Sequence, residues 1–312
     1  MSVCSRKGER VLIDIHTHAW ASRGLMGLEG QRYLCADELI EKMDAAGIHK
    51  AVVLGGVSPE QQYYLITAED VLRMCASYPE RLIPFCGLDP RMVGNGPDSD
   101  LRPLLRHYRD AGCKGVGEYF PNLPFDDPLN MNLFSQVAEA GLPLTFHIGT
   151  SVGGCYGCYD ELGLPRLEKV LKEFPNLKLL GHSQAFWAEI SADVTQETRA
   201  GYPKGPVTPG RLVQLMREYP NLYGDLSAGS GYNALVRDFG FGCRFMEEFQ
   251  DRLLFGTDMV YVKQETPIVA YFQKLAREEL ISREAHDKIC WRNANTLLGL
   301  GTRGDSQRGV RS

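Results

Sequence analysis

Residues 11–20 read VLIDIHTHAW, an apolar, β-branched run that ends in two histidines one residue apart. The run has the composition of a buried strand. Side chains at i and i+2 of a strand share a face, so His16 and His18 enter the same space about 7 Å apart. The stretch also bears on the fold. An open doubly wound sheet usually follows its first strand with a glycine-rich phosphate loop, and here that place is taken by HTHAW.

Seven further β-rich runs follow: KAVVLGG (50–56), RLIPFCGL (81–88), CKGVGEY (113–119), PLTFHIG (143–149), LKLLGHS (177–183), NLYGDLS (221–227) and DRLLFGTD (251–258). Their starts are 30 to 44 residues apart, the length of a strand, a helix and two loops. Helical patterns fill the gaps. ADELIEKMDAAG opens with Asp37 as an N-cap and closes at Gly47, while LEKVLKEFPN and GRLVQLMREYPN end on the same Pro-Asn turn. Eight strands alternating with helices predict a closed (β/α)8 TIM barrel. No linker divides the chain, so residues 1–300 form a single catalytic barrel and 301–312 a flexible polar tail. The Arg-Gly-Asp tripeptide in that tail reads as chance.

Composition narrows the partners. The 312 residues are 44% hydrophobic and 23% charged, with a net charge of −5 and no basic run. This argues against nucleic acid and anionic membrane as partners and leaves a small-molecule substrate. No stretch is apolar enough to span a bilayer, and MSVCSRKGER does not resemble a signal segment. Nine scattered cysteines, an odd number, fit reduced thiols and a cytoplasmic location. Cys155 and Cys158 form a CxxC with no second pair, and read as reduced loop thiols. A homo-oligomer, a dimer, is expected.

Barrels of this kind place their chemistry at the C-terminal ends of the strands. Strand one ends in His16 and His18, strand four in Glu118, strand five in His147, strand six in His182 and strand eight in Asp258. Four of the seven histidines therefore gather at one end, whereas His49, His107 and His286 fall in or beside helices and read as surface residues. Neutral imidazoles with carboxylates form a divalent-metal site. Asp14, on the face of the two histidines, either accepts the spare N–H of a ligand histidine or is a core polar group. Glu118, read as sharing a face with Val116, bridges two ions or acts beside one. Asp258 both ligates and takes a proton from water. Trp20, Tyr119, Arg91 and Arg237 follow barrel strands and are candidate substrate contacts, with Trp187 beside them. GDLSAGSG offers either backbone N–H groups to an anion or a tight turn.

Together DIHTHAW, GVGEY, LTFHIG, LLGHS, FGTD and the closing CWRNANTLLGL resemble the amidohydrolase superfamily over nearly the whole chain. The resemblance is closest to the amidohydrolase-related branch, which includes aminocarboxymuconate-semialdehyde decarboxylase and related hydratases and hydrolases. It implies a first ion held by His16, His18 and Asp258. In the single-zinc pattern His147 joins them and His182 acts on the metal-bound water. In the two-metal pattern Glu118 bridges, and His147 and His182 hold the second ion. Zinc is the expected ion, with manganese as the substitute, and one or two are bound. The resulting expectation is a metal-dependent hydrolase in which activated water attacks an amide, ester or lactone of a small organic substrate. The alternative is a non-oxidative decarboxylase or hydratase, a lyase, acting on a small unsaturated or aromatic carboxylate.

Overall fold

The computed structural model describes residues 11–27, 30–61 and 64–302. The N-terminal MSVCSRKGER and the tail beyond Thr302, with its Arg-Gly-Asp tripeptide, lie outside the described residues. The eight expected runs each contain a parallel strand: β1 (Ile13–Thr17), β2 (Lys50–Val53), β3 (Leu82–Pro84), β4 (Val116–Tyr119), β5 (Leu144–Gly149), β6 (Leu179–His182), β7 (Leu222–Asp225) and β8 (Leu253–Leu254). A further two-residue strand, Cys158–Tyr159, adds to the end of β5 outside this ring.

Strands β1–β3 pair in order, as do β4–β8. Backbone hydrogen bonds just beyond the regular ladders join the two sheets. Cys86 N donates to Gly115 O and Gly117 N to Cys86 O, both at 3.0 Å, linking β3 to β4. On the other side Ile15 N donates to Phe255 O at 2.9 Å and Asp258 N to His16 O at 2.8 Å, linking β8 to β1. The chain is a (β/α)8 barrel.

Two apolar clusters show how the strands divide their faces. Val11, Ile13 and Ile15 of the first run meet Val52, Leu54, Phe85, Leu180 and Leu254 from other strands, closed off by Ala294 and Leu298 of the last helix. This is the barrel interior. Leu12, Ala51, Leu144, Phe146, Leu179 and Leu253 belong to the larger cluster between strands and helices. The alternation is the period of two expected of strands. It fails at two places, where the register shifts between Asp14 and Thr17 and between Val116 and Tyr119. A bulge of this kind re-aims the side chains that follow it. Val116 therefore packs outward against the helices, and Glu118 does not share its face as the simple alternation predicted.

Helix boundaries follow local chemistry. The helix Ala36–Ala46 starts two residues earlier than an N-cap at Asp37 predicts. Cys35 is the N-cap, and the Glu38 carboxylate accepts from Cys35 N at 3.1 Å. Gly47 ends it in the left-handed region, with φ 71°. His286 is also corrected: it is buried, with Nε2 3.1 Å from Phe272 O, rather than a surface residue. No helix among the described residues is long and apolar enough to cross a membrane.

Candidate metal centre and active-site cavity

The bulged ends of β1 and β4 and the segment after β8 bring two carboxylates against the His16–His18 pair. His16 Nε2 lies 3.1 Å from His18 Nε2. Glu118 Oε2 is 3.7 Å from the first and 3.3 Å from the second. Asp258 Oδ1 lies 3.6 Å from both. Two donors each about 2.1 Å from one ion lie roughly 3.0–3.5 Å apart, so these spacings fit ligands converging on one centre. The other Glu118 oxygen, Oε1, is 2.9 Å from His147 Nδ1 and 4.0 Å from His182 Nε2. Two sets of donors fall within mutual ligand range, His16–His18–Asp258 and His16–Glu118–His182, and both include His16.

The tautomer of His16 is set from behind. Its Nδ1 is 2.6 Å from Asp225 Oδ2, a fully buried carboxylate at the end of β7. With the proton on Nδ1, the Nε2 lone pair points at the centre, the arrangement in which carboxylates orient metal-binding imidazoles. Ser227 Oγ stands 2.9 Å from His182 Nδ1 and orients that ring likewise. Asp225 is held by its own surroundings. Trp187 Nε1 donates to Asp225 O at 2.9 Å, and Ser227 N to Asp225 Oδ1 at 3.0 Å. Gly256 leaves room for it, since a Cβ there would meet Asp225 Oδ1 at 2.9 Å.

Charge at this point favours a cation. Burial opposes a positive His16, yet Asp225, Glu118 and Asp258 outweigh it and hold its pKa well above the ordinary value. Burial raises Glu118, but hydrogen bonds from His147, His16 and His18 leave it well below the carboxylate range. Burial raises Asp258. His182 is pushed down to about 3 by burial and then by His16, so its ring stays neutral. Two ring nitrogens facing each other among carboxylate oxygens are a poor arrangement for protons alone and a good one for a divalent ion. The donor set fits the metal.

Two devices fix the loop that carries Asp258. Asp14 settles as a core polar group. Its Oδ1 accepts from His16 N and Thr257 N at 3.0 Å each, and its Oδ2 accepts from Thr257 Oγ1 at 2.6 Å. Gln264 closes the other side. Its Oε1 accepts from Val260 N and Tyr261 N at 2.7 and 3.1 Å, and its Nε2 donates to Asp258 O at 2.6 Å. Asp258 is held with φ 56°, a left-handed conformation that aspartate tolerates better than most residues.

Above the centre opens a cavity of about 330 Å³, at the small end of ligand pockets. Trp20, Tyr33 and Tyr261 form one wall, with ring centroids 4.0 and 5.2 Å apart in succession. Phe120 and Tyr156, in edge-to-face contact, line it too, as do Gln184 and Gln264. Burial, then Glu118 and Asp258, raise the Tyr156 phenol, which keeps its proton. Among the described residues no lysine or arginine lines the cavity.

Of the expected substrate contacts, only Trp20 is found there. Tyr119 is fully buried with its hydroxyl on Asn130 Oδ1 at 2.5 Å, because the residue after inward-facing Glu118 turns toward the helices. Arg91 is committed to Glu60 and Asp89 at 2.7–3.0 Å. Arg237 binds Lys204 O, Gly205 O and Asp193 on the outer loops. Trp187 supports Asp225 instead of lining the cavity. Asp225 and Ser227 lie within GDLSAGSG but act through their side chains on His16 and His182 rather than by backbone N–H groups, and Tyr156 and Gln264 were not singled out. Asp225 alone carried a visible signal, an acid at a strand end.

This fold and site define a class: metal-dependent barrel enzymes with the donors at the strand ends. Residues 13–300 match the amidohydrolase family, in its amidohydrolase-2 branch, and the chain belongs to that family. No curated protein sequence matches it. Among solved structures, an uncharacterised TIM-barrel protein from Bordetella bronchiseptica is similar at 20% identity and TM-score 0.62, covering 92% of this chain and 98% of that one. A dihydroxybenzoic acid decarboxylase from Polaromonas, with bound manganese and the inhibitor 2-nitroresorcinol, is similar at 17% identity and TM-score 0.60, covering 94% and 98%. A probable 2-pyrone-4,6-dicarboxylic acid hydrolase from Acinetobacter baumannii with citric acid bound is similar at 13% identity and TM-score 0.57, covering 92% and 99%.

Proposed function

We propose that the protein is a lyase, a one-metal non-oxidative decarboxylase of a small planar carboxylate. The observation that carries this reading is the convergence of His16, His18 and Asp258 on one centre, with Glu118 3.3 Å from His18, at an aromatic cavity. Zinc is the ion proposed, with manganese as the substitute, the ion bound in the similar Polaromonas structure. When bound, the ion supplies a Lewis acid that anchors the substrate carboxylate. The aromatic walls hold the ring and keep water away from it. Asp258, at the edge of the centre, delivers a proton to the ring carbon as the C–C bond breaks and CO2 leaves. Solvent restores that proton through the exposed edge of Asp258, whose side chain is 22% accessible.

A second reading, the hydrolase, has one observation of its own. Glu118 Oε1 lies between His147 and His182, where a second ion would be bridged. Against it, the cavity holds no arginine or lysine among the described residues to receive a dicarboxylate lactone. The test is a screen of metal-loaded protein against aromatic and unsaturated carboxylates, lactones and amides. Equimolar CO2 release from a carboxylate is expected. Ring opening of a lactone with no CO2 from any carboxylate would overturn the lyase in favour of the hydrolase.

A further inference from the structure

The loop after β5, Ser151–Gly157, is built to place one side chain. Gly157 presses so closely on the strand that a Cβ would meet Gly149 N and His147 Cδ2 at 2.8 Å each, and its φ is +100°. Only glycine allows both the contact and the conformation. Its N–H donates to Phe120 O at 2.9 Å. Asn122 staples the loop from below, donating through Nδ2 to Ser151 O at 2.9 Å and Gly157 O at 3.0 Å. Its Oδ1 accepts from Gly153 N.

The residue so placed is Tyr156. Its ring lies 4.6 Å from the His147 ring and meets Phe120 edge-on at 5.6 Å. It is 39% exposed although its loop is stapled down, and it lines the cavity. Among the described residues its hydroxyl has no hydrogen-bond partner, while Glu118 and Asp258 lie close enough to act on it electrostatically. A fixed donor without a protein acceptor, facing the reaction centre, awaits an acceptor on the ligand. Also lining the cavity, Trp20 is locked by Nε1 donating to Tyr64 O at 2.9 Å, with its ring tilted against that of Tyr33 at 4.0 Å.

We propose that Tyr156 is a specificity-determining residue for a flat, singly charged substrate. Its hydroxyl donates to an oxygen of the substrate carboxylate, while the substrate ring is clasped between Tyr156 with Phe120 and the Trp20–Tyr33–Tyr261 cluster. The inference deepens the lyase reading and rests on it for the class of substrate. A second anionic group finds no countercharge among the described cavity residues and loses its hydration on entry.

The experiment titrates zinc-loaded full-length protein calorimetrically with benzoate and with benzene-1,3-dicarboxylate. Wild type is expected to bind benzoate at least ~10-fold more tightly than the dicarboxylate. Tyr156→Phe keeps the ring and is expected to bind benzoate roughly 10-fold more weakly, with ion stoichiometry and Tm unchanged. Tyr156→Ala weakens it further. Equal benzoate affinity in Tyr156→Phe and wild type overturns the inference while leaving any CO2 release intact. A wild type that binds the dicarboxylate as tightly as benzoate overturns it too. If no carboxylate loses CO2 but Tyr156→Phe still weakens benzoate, the lyase reading falls and the Tyr156 assignment stands.

Discussion

Asp225 shows how one residue away from the cavity decides what another does. It touches no substrate, yet at 2.6 Å from His16 Nδ1 it fixes which nitrogen of His16 faces the centre. Asp225→Asn removes the charge and leaves the shape. Zinc affinity is expected to fall by roughly 10- to 100-fold, read by competition with a chelating dye. Thr257 plays a comparable part for Asp14, which is buried with its three donors as partners. Thr257→Val keeps the volume and removes the hydroxyl. It should cost about 1–3 kcal/mol of stability, measured by urea denaturation, with an unchanged slope.

At the scale of elements, the strands were legible and the turns after them were not. Every β-rich run contains a strand because period-two apolar patterning states burial directly. The ligand histidines and acids were visible because titratable side chains at the ends of buried strands need a partner. What misled was the assumption that alternation continues past each strand end. The bulge in β4 takes Glu118 off the face of Val116, and Tyr119, next to inward-facing Glu118, faces the helices. Arg91 and Arg237 follow strands as Trp20 does, but partners distant in sequence, such as Glu60 and Asp193, draw them away. Tyr156 carries no motif, since its placement comes from Asn122 and the contact at Gly157. The Asp258 loop has its own test. Gln264→Ala removes three hydrogen bonds that hold this loop. Ion affinity should fall by roughly 10-fold, while Tm measured in chelator shifts by no more than roughly 4 °C.

For the whole molecule, the metal and the barrel stabilise one another. The donors come from β1, β4 and β8, strands that meet only when the ring closes. An ion that binds only the folded chain adds about 2.7 kcal/mol at one hundred times its Kd. Zinc is therefore expected to raise Tm by roughly 5 °C, and a chelator to reverse this, as read by scanning calorimetry. The same convergence bears on the number of ions, because His16 belongs to both donor sets. Elemental analysis of protein stripped with chelator, reloaded with excess zinc and desalted reads that number directly. The account predicts one zinc per chain, falling to well below one in His16→Ala. Two zinc ions per chain, with one retained in that variant, would contradict it.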